Sequence, residues 1–595
     1  MSTRDKTRGM GATPHASGVG FRVWAPHARR VSVIGSFNGW DGAKHQMQAE
    51  ENGNWYVEVA GAGVGDRYKF LVATDRGDFQ RMDPYAREVT GSVGDAVVHD
   101  PHFDWEGDAF RIAPWNELVI YELHVGTFNE PVEDALAAGF ASMSERLEHL
   151  KKLGINAIQI MPVGEFAGGR SWGYNPSHIF SVELTYGGPT AFKRFVKHAH
   201  QLGVAVILDV VYNHLGPSDL DLWQFDGWSE NGRGGIYFYN DYRSHTPWGE
   251  TRPNYGCGAV RQFISDNAFM WLGEYRVDGL RYDCTQFIRS VDGAPENDLP
   301  EGWSLLQWLN EQISREYPGR ITIAEDLQNN HWLTRSVGAG GAGFGSQWDG
   351  NFVHPIRQAV ITPLDEERSL SAIRGALCYR YNDDAFDRVI YSESHDEVAN
   401  GKARVPQEVH PEDPTGWYAQ KRSTLAAAMV FTAPGIPMLF QGQEFLEGGW
   451  FRDSVPLDWD QSEEFRGIVR LYRDLIRLRL NLAGFTRGLC GQFTEVHHLN
   501  DERKMIAFHR WDSGGPADDV VVVANFLGQA QDGSLIGLPA PGTWKLRFNS
   551  DWQGYSEAFG GYQSSDLASQ PGERDGLPCQ GSLSIGPYSV LIYSQ

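Results

Sequence analysis

The sequence predicts an α/β protein with a central (β/α)8 (TIM) barrel, flanked by an N-terminal and a C-terminal β-sandwich. Residues from about 117 to 480 alternate apolar strands with amphipathic helices, the pattern of consecutive βα units with a parallel sheet. Strands of period two dominate before and after this region. Eight strands can be placed in the middle region, and no GxGxxG motif follows an early one, which favours a barrel over an open doubly wound sheet.

The flanking regions set the predicted domain limits. Residues 1–18 are polar and are predicted to be a disordered tail, and 19–105 have the short strands and Asn-Gly turns of a small β-sandwich. Its tryptophans, Trp24, Trp40 and Trp55, are expected to pack in the sandwich core, and no binding role is assigned to them. Strand patterns return after the barrel and predict a second sandwich over 486–595.

The predicted barrel domain spans 106–485. Its strands are expected at 118–123, 155–161, 204–211, 277–282, 321–324, 344–348, 389–391 and 436–440. A segment rich in glycine and aromatic residues, 215–258, interrupts the βα rhythm, and a loop of that length inside a compact domain is usually functional.

Composition excludes several classes of function. The formal net charge of -24 disfavours nucleic acid and anionic membranes as partners. The first 18 residues lack an apolar segment, and the longest apolar stretch, 425–440, is interrupted by two prolines, so neither an export signal nor a membrane span is expected. The cysteines, five in number and without CxxC spacing, disfavour a disulfide framework, and the predicted location is the cytoplasm.

The predicted active site lies at the carboxyl ends of the barrel strands, where (β/α)8 enzymes place their chemistry. Five strand ends carry suitable side chains. They are Trp172 and Tyr174 after the second strand, Asp209 and His214 at the third, Arg281 and Asp283 at the fourth, Glu325 at the fifth, and His395 and Asp396 after the seventh.

Two of these carboxyl groups suit the cleavage of a glycosidic bond with retention of configuration. Arg281 and Asp283 are two apart on one strand and share a face, so we expect the guanidinium to keep Asp283 ionised as a nucleophile. Glu325 follows an apolar strand, which is expected to raise its pKa and to suit it as a general acid. Asp396 is a candidate for binding sugar hydroxyls in the transition state.

The alternative from the residues alone is a metal site, since two histidines and several carboxylates could bind zinc or manganese. Arg281 beside the central carboxylate argues against a divalent cation, and no HxH or HExxH spacing occurs. No metal and no cofactor are therefore expected in catalysis. Binding of a calcium ion in the 215–258 loop is neither predicted nor excluded.

Four segments resemble the sequence regions of the α-amylase superfamily, glycoside hydrolase family 13, in the family's order. They are DVVYNH (209–214), GLRYD (279–283), IAED (323–326) and ESHDE (393–397). The resemblance implies Asp283 as nucleophile, Glu325 as acid/base and Asp396 as transition-state stabiliser. It also implies sugar contacts for Tyr174, His214, Arg281 and His395, with Asp209 mainly structural; Trp172 is a further candidate for stacking on the α-glucan.

Within that superfamily the chain is most similar to glycogen branching enzymes. FRVWAP (21–26) and GSFNGWD (35–41) resemble a glycan-binding, immunoglobulin-like module, and HDEVANGK (395–402), MLFQGQEF (438–445), VVVVANF (520–526) and FNSD (548–551) resemble branching enzymes. The polar segment 326–330 is instead similar to malto-oligosyltrehalose trehalohydrolases. The leading hypothesis is a 1,4-α-glucan branching transferase; a retaining hydrolase of the α-amylase or trehalohydrolase type and a non-catalytic glucan-binding scaffold are the alternatives.

Overall fold

The N-terminal domain consists of two antiparallel sheets that face each other. The structure, a computed structural model, describes residues 9–129 and 139–595. One sheet has the order β1-β2-β5-β4 and the other β3-β6-β9-β8, with β7 paired to β6. The strands are β1 (Gly11–His15), β2 (Gly18–Trp24), β3 (Arg30–Gly35), β4 (Gln48–Ala49), β5 (Asn54–Ala60), β6 (Arg67–Thr74), β7 (Gly77–Arg81), β8 (Glu88–Val89) and β9 (Ala96–Val97).

The expectation of a disordered tail over 1–18 is wrong for its second half. β1 pairs antiparallel with β2 from Gly11 opposite Arg22 to His15 opposite Gly18. Gly18 permits the turn, because its φ is +154° and a Cβ there would lie 2.4 Å from the Val59 carbonyl oxygen. The polar composition of this segment suits an edge strand, whose order comes from backbone hydrogen bonds. Residues 1–8 lie outside the described residues.

The expectation of buried tryptophans also fails at one position. Trp24 and Trp55 are half-buried and pack against the core, and the Trp55 indole donates to the Ala25 carbonyl at 3.0 Å. Trp40 is 40% exposed, because it occupies a left-handed turn with a φ of 62° that directs its indole outward.

The central domain is a closed barrel of eight parallel strands, as predicted. Each predicted strand coincides with an observed one, although the observed strands are mostly shorter. They are β10 (Ile120–Leu123), β11 (Ala157–Ile160), β14 (Ala205–Val210), β15 (Gly279–Tyr282), β16 (Ile321–Ala324), β17 (Ser346–Trp348), β18 (Arg388–Ile390) and β19 (Ile436–Phe440). A two-stranded hairpin of β12 (Gly164–Phe166) and β13 (Pro176–Val182) follows β11.

Helices surround the barrel, and most of them bury an apolar face. They are α1 (Val125–Phe128), α2 (Phe140–Ser144), α3 (Leu147–Leu153), α4 (Gly188–Gln201), α5 (Gly258–Gly273), α6 (Gln286–Arg289), α7 (Pro300–Glu316), α8 (Gly350–Ile361), α9 (Leu370–Cys378), α10 (Val405–Val409), α11 (Trp417–Thr432), α12 (Asp460–Glu464) and α13 (Arg466–Arg479). None of the helices in the described ranges has the length and hydropathy needed to span a membrane.

The C-terminal domain is all-β. Its strands pair in the order β20-β21-β22-β27-β24-β25-β26-β23. Residues of β21 and β26 share one apolar cluster, so the sheet folds over onto itself around a core. The strands are β20 (Phe493–Asn500), β21 (Met505–Trp511), β22 (Val520–Asn525), β23 (Gln531–Leu538), β24 (Gly542–Asn549), β25 (Leu567–Arg574), β26 (Leu577–Ile585) and β27 (Ser589–Ser594).

Candidate active site

The predicted residues gather at the carboxyl ends of adjacent barrel strands. Asp209 on β14 is in register with Arg281 on β15, so both side chains point the same way. Asp283 directly follows β15, and Glu325 directly follows β16. The backbone amide of Glu325 donates to the Tyr282 carbonyl at 3.0 Å, which fixes the two strand ends against each other.

Arg281 is the centre of the cluster and is fully buried. Its Nη1 lies 2.6 Å from Asp209 Oδ2 and 3.2 Å from Asp283 Oδ1, and its Nη2 lies 2.8 Å from Glu325 Oε2. The guanidinium carbon lies 4.2 Å from the centroid of Trp348, whose ring covers it. One cation therefore holds three carboxylates in a fixed arrangement.

A carboxylate oxygen of Asp283 and one of Glu325 lie within 4.8 Å of each other. Retaining glycosidases place their two carboxyl groups about 5 Å apart, so that one can attack the anomeric carbon while the other protonates the leaving oxygen. The Asp283 carboxylate also accepts from Asn213 Nδ2 at 3.0 Å, and Glu325 Oε2 accepts from the Cys284 amide at 2.8 Å. Both groups are held on the same side of the barrel mouth.

The expected directions of the two pKa shifts are wrong for the substrate-free protein. Burial, together with the charge of Glu325, raises the pKa of Asp283 well above its ordinary value. Burial acts on Glu325 in the same direction, but the Arg281 guanidinium and the Cys284 amide outweigh it and lower the pKa of Glu325. The sequence spacing pairs Arg281 with Asp283 alone, whereas the second amino group of the guanidinium reaches Glu325.

His395 and His214 have opposite electrostatic surroundings. Burial opposes a charged imidazole at His395, but the carboxylate of Glu122, 2.7 Å from its Nδ1, raises its pKa above the ordinary value. Burial lowers the pKa of His214 to about 4. The His214 Nε2 lies 2.8 Å from the Tyr174 carbonyl, and Trp248 stacks on its ring at 4.5 Å.

The remaining candidates form one wall of the same mouth. Tyr174 donates to Asp209 Oδ2 at 2.6 Å and stacks on His395 with ring centroids 5.0 Å apart. Burial raises the pKa of Asp209 to about 6. Trp172 meets His395 edge to face at 5.8 Å, and partly exposed Asp396 accepts from Asn400 at 2.9 Å. The structure thus brings all nine predicted residues to the barrel mouth.

The donor set does not fit a divalent cation. The Cys284 sulfur and one oxygen each of Asp283 and Glu325 lie within 4.8 Å of one another, close enough to be ligands. The Arg281 guanidinium, however, contacts both carboxylates and already supplies the positive charge.

Sequence reasoning missed Glu122, Asn213, Trp348 and the amide of Cys284. Glu122 is fully buried in the apolar strand IYEL, and a charged residue at such a position is itself a signal of a partner. Asn213 stood inside the motif 209–214 but was given no role. Trp348 ends the predicted strand 344–348, and only the closed barrel shows that its ring lies on Arg281.

Three parts of the chain match known domain families. Residues 9–86 match carbohydrate-binding module 48, the isoamylase N-terminal domain. Residues 136–254 match the catalytic domain of α-amylase, and residues 496–595 match the C-terminal all-β domain of α-amylase. These three families occur here in the order of the three structural domains.

Two solved structures resemble this chain over nearly its whole length. A putative α-amylase from Salmonella typhimurium, 24% identical, covers 99% of this chain and is itself fully covered, with a TM-score of 0.72. A pullulanase from Anoxybacillus, solved with maltotetraose, is 21% identical and has a TM-score of 0.75, with 100% of this chain and 89% of that chain covered. Both share the fold.

Two enzymes of known name are more similar to this chain in sequence than those two structures are. The 1,4-α-glucan branching enzyme GlgB of Paramagnetospirillum magneticum is 31% identical over 92% of this chain and 75% of its own length. GlgB of Burkholderia thailandensis is 31% identical over 99% of this chain and 73% of its own length. With its α-amylase-type barrel, module 48 domain and these relatives, the chain belongs to the 1,4-α-glucan branching enzyme (GlgB) family of glycoside hydrolase family 13.

Proposed function

We propose that the chain is a retaining 1,4-α-glucan branching enzyme that forms 1,6-linkages in glycogen-like polymers. The observation that carries the chemistry is the Asp283–Glu325 pair, whose oxygens approach within 4.8 Å. The name of the relatives supports the choice of transfer over hydrolysis. The net charge of -24 suits a neutral glucan better than nucleic acid or an anionic membrane, and a cytoplasmic location remains part of the proposal.

In the first half-reaction, Glu325 donates its proton to the glycosidic oxygen O4 while the C1–O4 bond breaks. An Asp283 oxygen forms a bond to C1, which gives a covalent glycosyl-enzyme and releases the rest of the chain. For this step the proton that the pair holds must reside on Glu325. Positive charge developing at C1 in the transition state favours ionised Asp283, so the reactive form has the proton on Glu325, opposite to the pKa order of the free protein.

In the second half-reaction, a glucan 6-hydroxyl gives its proton to Glu325 and its oxygen attacks C1. The bond between C1 and Asp283 breaks, and a 1,6-linkage forms with net retention. Charged His395 and partly exposed Asp396 are proposed to bind hydroxyls of the sugar at the cleavage point, and Tyr174 and Arg281 to hold the carboxylates in place. Water at the position of the 6-hydroxyl would give hydrolysis instead.

Products from linear amylose test this function. A branching enzyme lowers iodine staining, creates 1,6-linkages detectable by proton NMR, and releases few reducing ends. A rise in reducing ends that matches the loss of staining would make the chain a hydrolase. Release of free trehalose from maltooligosyl trehalose would identify a trehalohydrolase. If the glucan is unchanged and the Asp283→Asn substitution has no effect on function, the chain is only a glucan-binding scaffold.

A further inference from the structure

A cavity lies between the connections that follow β15 and β16 at the carboxyl end of the barrel. Its volume is about 560 Å³, within the range of small-molecule sites. We name it the tryptophan groove, and its principal lining residues are Arg289, Asp298, Leu299, Trp303, Asn330 and Trp332. The lining combines two indoles with charged and amide side chains, so it offers both apolar faces and hydrogen-bonding groups.

Both tryptophans lie close to Gly340. The indole N–H of Trp303 donates to the Gly340 carbonyl at 3.3 Å, and a Cβ on Gly340 would lie 3.8 Å from Cζ3 of Trp332. The Arg335 guanidinium lies 4.3 Å from the Trp332 ring, while 40% of Trp332 stays exposed. An indole ordered in this way and open to solvent matches the apolar C–H face of a pyranose ring.

One ion pair connects the groove to the segment that carries Glu325. Arg289, which lines it, donates to Asp326 Oδ2 at 2.7 Å, and Asp326 directly follows Glu325. Asn330 and Trp332 lie on the same connection after β16. In the barrel, β14 and β16 lie on opposite sides of β15, so the groove and His214 flank Asp283 from opposite directions.

This placement defines which part of a substrate the groove can hold. Glu325 protonates the leaving oxygen, so the departing chain leaves from the Glu325 side, and an incoming acceptor must approach from that same side. We propose that the tryptophan groove binds an α-1,4-glucan chain on the leaving-group and acceptor side of the cleaved bond, with Trp303 and Trp332 stacking on its glucose rings. The proposal rests on the function proposed above.

Two substrates distinguish binding in the groove from the chemistry of glycosidic bond cleavage. Amylose must occupy the groove, whereas maltotriosyl fluoride has fluoride as its leaving group and places nothing there. In Trp332→Ala and Trp303→Ala we expect KM for amylose to rise about three- to tenfold, the scale of one lost aromatic contact. Single-turnover fluoride release should stay unchanged. Trp332→Phe should retain most of the affinity.

Trp552→Ala is the matched control, because Trp552 is 43% exposed but lies in the C-terminal domain. Binding of maltoheptaose to Asp283→Asn, with and without each tryptophan substitution, gives a readout independent of the product, and melting temperatures report folding. If amylose is hydrolysed rather than branched, the proposed function fails, yet weaker maltoheptaose binding still supports the groove. If the groove variants bind and react like Trp552→Ala, the groove proposal is overturned, whatever the product.

Discussion

At the scale of single residues, the active site depends on one cation shared among three carboxylates. Arg281 is fixed between Asp209, Asp283 and Glu325, so the electrostatic state of the two reacting groups is a joint property. In the proposed mechanism, the reacting substrate determines which of them carries the proton. Glu122 has a similar supporting role for His395, since it holds the backbone amide at 3.0 Å and the ring at 2.7 Å.

Glu122→Gln tests whether His395 acts as a charged group. Loss of the carboxylate removes the interaction that raises the pKa of His395, so the pKa should fall. If the imidazolium binds the sugar, activity is lost as the pH rises through this pKa, and the alkaline limb of the pH–rate profile should move to lower pH in the variant. The control is Glu117→Gln, an exposed residue before the same strand. An unshifted alkaline limb would mean that Glu122 is only structural.

Much of the site can be predicted from the sequence because each candidate is placed by its own strand. The carboxyl end of a barrel strand is a defined location, so strand assignment alone brings Asp209, Asp283 and Glu325 together. The pKa directions and the Glu122–His395 pair could not be predicted, since they depend on contacts between distant segments. Glu122 and His395 are 273 residues apart.

At the scale of elements, the β12–β13 hairpin carries Tyr174 and Trp172 between its strands and is anchored by buried carboxyl groups. Glu165 is 3% exposed, and burial with the neighbouring charge of Glu183 raises its pKa from 4.5 to about 8. The Glu165 carboxyl accepts from the Leu184 amide at 3.0 Å. We therefore expect the hairpin that holds these aromatic residues to be sensitive to pH.

Glu165→Gln should make the protein less sensitive to pH. Because the folded-state pKa of Glu165 is raised, its protonated form stabilises the fold below about pH 4.5, and that contribution is lost as the pH rises to about 8. The melting temperature of the unsubstituted protein should fall relative to the variant between these values, by a few degrees. Glu148→Gln, an exposed helix position, should run parallel to the unsubstituted protein. A constant difference across the range would contradict this role of Glu165.

Elements were easier to predict from the sequence than their termini. Barrel strands are apolar runs buried on both faces, which is why all eight were located. β1 was missed because edge strands carry no such run, and Trp40 was misplaced because a left-handed turn is not evident from a hydrophobic pattern.

At the scale of the whole molecule, the three domains share a continuous apolar core. One cluster of buried residues includes Phe21 of the N-terminal domain, Phe431 of the barrel domain and Ile592 of the C-terminal domain. A buried ion pair, Lys421 with Asp551 at 2.7 Å, joins α11 to the C-terminal domain. The insertion 215–258 contacts the N-terminal domain through Asp226, which accepts from the His27 amide at 2.9 Å.

This continuity predicts that the domains unfold together. Separating any one of them would expose apolar surface of its neighbours to water, which is unfavourable in proportion to the area exposed. Differential scanning calorimetry should therefore show one main transition. Two or three well-separated transitions would show that the interfaces contribute little to stability.

The central claim, that Asp283 carries the glycosyl group during transfer, has a direct test in trapping. In Glu325→Gln, maltotriosyl fluoride still reacts because fluoride leaves without a proton, but the intermediate persists because no base activates the acceptor. Mass spectrometry of the peptides should then find a maltotriosyl adduct on Asp283. An adduct on another residue, or none while fluoride is released, would contradict the mechanism.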